Sequence, residues 1–90
     1  MQMNVIRGER ATGKTTKLRE LAQAAGLAEE EIIHADFFED DEIEMLVRNR
    51  LAKGAKVVCI NDCYEATVTH LTRADSSFPA DVIIHAVVRA

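Results

Sequence analysis

The sequence predicts a three-layer α/β/α sandwich built on a four-stranded parallel sheet, and two features of its patterning carry that prediction. Four apolar runs of strand length alternate with three stretches whose apolar residues recur at helical spacing. The runs are continuous rather than alternating, so helices are expected on both sheet faces, as right-handed βαβ crossovers require.

Each element has its own signature. The first strand is the run Met3–Arg7, which ends at Gly8. Leu18, Leu21, Ala22 and Ala25 fall at i, i+3, i+4 and i+7, one face of a helix that Gly26 stops. Glu31–Phe37, with Ile32, Ile33 and Ala35, is the second strand. Asp40 or Asp41 caps the second helix, and Glu44 follows Asp41 at capping-box spacing. Ile43, Leu46, Val47 and Leu51 mark its inward face, and Lys53-Gly54 closes it. Lys56–Ile60 is the third strand. Asp62 and Glu65 read as a second capping box, opening a third helix with Val68 and Leu71 inward. Asp75–Pro79 is a loop by composition, and Asp81–Val88 is the last strand.

Residues 1–90 make a single domain. A chain this short buries about 60–65% of the surface its unfolded form exposes, enough for one core and little else. The formal charge of −4 argues against direct nucleic-acid binding. Acids concentrate at Glu29–Glu31 and from Asp36 to Glu44, a solvated face that is also suited to a protein partner. Five of the eleven basic residues lie between Arg7 and Arg19, a local positive potential that suits a polyphosphate. No stretch approaches the roughly 18–20 apolar residues of a membrane span, and the first residues lack the order of a secretory leader. Cys59 and Cys63 therefore read as reduced thiols of a cytoplasmic protein. A zinc site from them with His34 and His85 lacks paired ligands at metal-binding spacing.

The chemistry is carried by Gly8-Glu9-Arg10-Ala11-Thr12-Gly13-Lys14-Thr15, which fits G-x-x-x-x-G-K-[ST] between a strand and a helix. A chance match in a chain this long is on the order of a few in a thousand. Glycines let the backbone approach phosphates, and successive N–H groups with the helix N-terminus form an anion nest. Lys14 is expected to reach the β/γ oxygens of a nucleoside triphosphate, Thr15 to hold Mg²⁺, and Thr16 to reach an α-phosphate oxygen. Arg10 either touches phosphate or points to solvent. A plain Gly-rich turn capped by Thr12 is the simpler alternative.

An acid at the end of a buried strand should hold the Mg²⁺ hydration shell, and Val57-Val58-Cys59-Ile60-Asn61-Asp62 offers two registers. In one, Asn61 replaces the metal-binding acid and Asp62 is the catalytic carboxylate. In the other, Asp62 is the metal acid and Glu65 the candidate base; Asp62 equally fits a helix N-cap. Asp36 stands where a kinase places its base, or begins a solvated turn. His85 reads as a hydrogen-bonded core residue; beside the first strand, it or Arg89 would sense the γ-phosphate. Arg73 is either a surface residue or an arginine donated in trans to a neighbouring subunit.

At these residues the chain resembles the P-loop NTPases over nearly its whole length. Gly8 to Leu18, with its Gly-Lys-Thr-Thr-Lys-Leu helix start, resembles the small additional-strand ATPases common in bacteriophages. That resemblance implies the minimal P-loop NTPase fold with strand order 2-3-4-1, and ATP in preference to GTP, with Mg²⁺. Ile33–Phe38 and Asn61-Asp62 are also similar to the polynucleotide-kinase and zeta-toxin kinases, which imply order 2-3-1-4 and Asp36 as base. Both groups carry a fifth strand, and the kinases an arginine-bearing lid; neither follows the fourth strand here. The expectation is nucleotide binding with slow hydrolysis, or hydrolysis only in a homo-oligomer that covers the edge strand and lends Arg73. The other expectations are a small kinase using Asp36, or a non-enzymatic phage-type accessory or inhibitor protein gripping a host partner.

Overall fold

The structure, a computed structural model, describes residues 1–8 and 13–89. Its elements run β1 (Gln2–Ile6), α1 (Lys14–Ala24), β2 (Ile33–His34), α2 (Asp40–Ala52), β3 (Val57–Cys63), α3 (Glu65–Arg73) and β4 (Ile83–Val88). Short 3-10 turns at Glu29–Glu31, Ala35–Phe37 and Asp75–Ser77 join them. All four strands are parallel, in the order β1-β4-β3-β2, which is the 2-3-4-1 arrangement.

The central strands explain the unbroken apolar runs. Alternate residues of β3 and β4 enter two different cores, so both faces are largely apolar, and the polar exceptions, Asn61 and His85, are hydrogen-bonded. Val58, Ile60, Ile84 and Ala86 pack with Ile43 and Val47 of α2 and Val68 and Leu71 of α3. Cys59 and Val87 point the other way, onto Leu18 and Ala22 of α1. One face thus carries two helices and the other only α1. At the edge, β1 alternates: Met3 and Val5 join the larger core, while Gln2 is exposed and Asn4 half-buried.

Several local expectations are corrected. The second strand is two residues long, not the seven of Glu31–Phe37, because 3-10 turns take over on either side. The α2 start is closed by Glu42, whose carboxylate accepts the Glu39 N–H at 2.9 Å, and Asp41 bonds only the adjacent Glu42 N–H. Glu44 instead bridges helices, accepting from Arg48 Nε at 2.8 Å and meeting His70 Nε2 at 2.8 Å. The Arg48 hydrogen bond holds its carboxyl below the ordinary range, with His70 adding to the effect. Ala25 lies past the end of α1 and is exposed, leaving Leu18 and Ala22 as that helix's buried residues. The third strand continues to Cys63, so Asp62 is a strand residue and Tyr64 precedes α3 with no side-chain cap. Among the described residues no helix is long and apolar enough to cross a membrane.

Candidate functional site

In a parallel sheet every strand C-terminus lies on one edge, where the connections into the helices gather chemical groups. Here that edge brings together Gly8, Gly13, Lys14, Thr15 and Asn61. Gly13 precedes α1 with φ 80° and ψ 19°, a left-handed conformation that costs any other residue roughly 1–2 kcal/mol. No side chain caps α1 and its first turn carries no acid, whereas α2 opens on Asp40, Asp41 and Glu42 and α3 on Glu65. The start of α1 therefore keeps its partial positive charge uncompensated by its own side chains.

Lys14, the first residue of α1, folds back across the edge. Its Nζ donates to the Gly8 carbonyl at 2.8 Å and the Val88 carbonyl at 2.9 Å, bridging the ends of β1 and β4. An ammonium has three donors, so one remains for a ligand. Thr15 is half-buried one residue further on, and Thr16 is exposed. Glu9, Arg10, Ala11 and Thr12, the middle of the expected phosphate loop, lie outside the described residues.

The third strand decides which of its polar residues faces this edge. β3 pairs with β4 in steady register from Val57 opposite Ile83 to Ile60 opposite Ala86, but Cys63 then meets Val88, one residue out of step. The extra residue makes a bulge in which Asp62 takes φ 58°, a left-handed angle that an Asp tolerates better than most. Asn61, 93% buried, stays on the α1 side, where its Oδ1 accepts a long 3.4 Å hydrogen bond from the Thr15 hydroxyl. The bulge returns Cys63 to the α2 and α3 side. Asp62 is half-buried beyond Asn61. The neutral amide, not the acid, is the group opposite Thr15.

Glu65 is engaged elsewhere. Its carboxylate forms a two-pronged pair with Arg7, Nη2 to Oε2 at 3.1 Å and Nε to Oε1, tying the end of β1 to the start of α3. The Arg7 hydrogen bond holds the Glu65 carboxyl below its ordinary value. A general base is most effective with its pKa near the working pH, so this pairing suppresses that role. Arg89 follows β4, donates Nη1 to the Tyr64 hydroxyl at 2.9 Å and lies 5.2 Å over its ring. Arg73 ends α3 at the opposite edge of the sheet; just beyond it, Asp75 pairs with the Met1 amine at 3.3 Å.

His85 sits in mid-strand opposite Asn4, whose side-chain amide donates to its Nδ1 at 2.8 Å. It is a hydrogen-bonded strand residue remote from the strand end, and burial pushes its pKa down. A depressed imidazole contributes stability that is full above the unfolded value of 6.5 and is lost as pH falls toward the folded value. Denaturant melts are expected to show stability falling below pH 6.5, and His85→Gln to flatten that slope. An unchanged slope in the variant assigns the acid sensitivity to another group. Cys59 and Cys63 are unpaired and buried on opposite faces, and burial raises the Cys63 thiol to about 11. Among the described residues no three His, Cys, Asp or Glu side chains converge to hold a metal ion.

Comparisons of the chain with protein-family models, curated proteins and solved structures found no match. Sequence reasoning missed the bulge and left Asn61 and Asp62 as alternatives at the strand end; its signal there was a polar pair closing an otherwise apolar strand.

Proposed function

We propose that this domain is a minimal P-loop NTPase of the additional-strand type, which binds a nucleoside triphosphate, ATP or GTP with ATP the first candidate, together with Mg²⁺. The observation that carries the reading is the start of α1. It is an acid-free helix N-terminus, entered through a left-handed Gly13, with the Lys14 amine across the ends of β1 and β4. The residues fit the ligand: backbone donors and Lys14 for the phosphates, Thr15 for Mg²⁺, and Asp62, the residue after the Thr15-bonded Asn61, as the nearest strand-end acid for the ion's hydration shell. The 2-3-4-1 order is the one this type implies.

Hydrolysis is slow or depends on assembly. Asn61 brings no charge to Thr15, Glu65 is paired with Arg7, and Arg73 is at the far edge, available only to a neighbouring molecule. Phosphoryl transfer rests on positioning and charge stabilisation, so these arrangements lower the rate by orders of magnitude. The kinase reading loses support from the same sheet order. Asp36 lies in the turn after β2, the strand farthest from β1, and lines a groove with Phe38, Asp40 and Tyr64 that Lys14 does not share.

Titration calorimetry with ATPγS, with and without Mg²⁺, tests the reading beside a phosphate-release assay. Micromolar, Mg²⁺-dependent binding with slow release is expected, and absence of binding at millimolar nucleotide overturns it. Two variants assign the metal acid. Asn61→Asp places a carboxylate opposite Thr15 and is expected to tighten Mg²⁺-dependent binding by about tenfold. Asp62→Asn is expected to weaken binding with Mg²⁺ more than without it. Equal effects in both conditions return Asp62 to a structural part in the bulge.

A further inference from the structure

We propose that the groove between the Ala35–Phe37 turn and the starts of α2 and α3 is a docking site for an arginine side chain presented by a protein partner. This goes beyond the nucleotide site and does not rest on it.

The groove has a volume of about 320 Å³, and its walls include Asp36, Glu39 and Asp40 together with the rings of Phe38 and Tyr64. Two features coincide there. The chain has four aromatic residues, and three of them, Phe37, Phe38 and Tyr64, are exposed in this one region, while only Phe78 is buried. The ring surface that Phe37, Phe38 and Tyr64 leave in water is apolar area withheld from the core of a 90-residue domain. The carboxylates are the second feature. Asp36, Glu39 and Asp40 line the groove together and, like most carboxylates of the described residues, have no cationic partner among those residues, so their charge is open to an incoming one.

Both walls are held in place. Asp40 accepts the Thr67 hydroxyl at 2.6 Å, which fixes its carboxylate against α3. Tyr64 is pinned by Arg89 through its hydroxyl and ring, so the chain itself already uses this ring as a seat for a guanidinium. The acids do not converge on a point, and no metal-binding cluster forms among the described residues. An extended cation fits where a metal does not. Rings beside spaced carboxylates match a guanidinium, which is planar, weakly hydrated and able to stack while donating in two directions. An ammonium is compact and strongly hydrated, and gains less from the rings. The net charge of −4 gives a basic partner its long-range attraction.

The probe is an acetylated, amidated Gly-Ser-Arg-Ser-Gly peptide, titrated into the isotope-labelled full chain and followed by backbone amide shifts. Saturable shifts are expected at residues 35–40 and 64–67. The same peptide with citrulline, which keeps the shape and removes the charge, is expected to bind about tenfold more weakly. Asp36→Asn combined with Glu39→Gln, both exposed side chains, should cost a similar factor with the spectrum otherwise unchanged. Equal binding of the citrulline peptide, equal binding of a lysine peptide, or shifts as large at Glu29–Glu31 as in the groove would each overturn the proposal. So would groove amides that move with protein concentration alone, which makes a second copy of this chain the occupant.

Discussion

Lys14→Ala is expected to weaken ATPγS binding at least about tenfold, the largest functional effect of any single change at the candidate site. A charge-assisted hydrogen bond contributes about 1.5–3 kcal/mol, which corresponds to roughly 10- to 150-fold in affinity. The native amine has a second task, because it holds the Gly8 and Val88 carbonyls at 2.8 and 2.9 Å. Losing those bonds frees two acceptors close to water, a cost of about 1 kcal/mol in stability. The two roles separate experimentally. Calorimetry well below the unfolding transition reads affinity, and a melt without nucleotide reads the scaffold. A loss of affinity larger than the loss of stability supports phosphate binding at Lys14. Unchanged affinity removes the nucleotide reading and leaves Lys14 as a strap between the ends of β1 and β4. Lys14→Arg keeps the charge but replaces a compact ammonium with a planar fork, and an intermediate affinity is expected.

The fold was legible because β3 and β4 are buried on both faces, which forces continuous apolar runs that no alternating pattern imitates. The strand order was also written in the chain, in a place easily passed over. Gln2, Met3, Asn4 and Val5 alternate polar with apolar, the mark of a strand covered on one face. A central first strand, as order 2-3-1-4 demands, would not carry Asn4 toward a half-open face. The misread positions are those where tertiary contacts overrode a local pattern. Glu44 has capping-box spacing after Asp41, yet Arg48 and His70 offer it two partners in exchange for one N–H. Asp62 has the spacing of an N-cap, but pairing with β4 extends β3 past it and lodges it in a bulge. A bulge depends on one strand being a residue longer than its neighbour between two fixed ends, and neither sequence shows that alone. The proposed phosphate site rests on a motif of glycine positions and one lysine, which sequence alone displays. Its proposed metal side does not, because the choice between Asn61 and Asp62 is a matter of strand register.

Leu18→Ala is expected to cost about 3 kcal/mol of stability, within the roughly 2–5 kcal/mol of a buried Leu truncation. That is a large share of a total near 5–10 kcal/mol, and should lower the melting temperature by roughly 12–24 °C. The position is chosen by the asymmetry of the sandwich. The α2 and α3 face is held by many large side chains, whereas α1 docks through Leu18 and Ala22 on Cys59, Val87 and Ile32. Leu18 is the one large buried side chain that α1 contributes, and it is fully enclosed. Little else can refill its place. Its loss should therefore act on α1 before the rest of the sheet. Hydrogen exchange in Leu18→Ala is expected to rise in α1 more than in α3, since the two helices sit on different cores. Because Lys14 and Thr15 ride on the first turn of α1, nucleotide affinity should fall along with α1 protection at temperatures where β3 and β4 remain folded. Uniform loss of protection over both faces would show instead that the smaller core has no independent stability, and that the site is held by the sheet rather than by the docking of its helix.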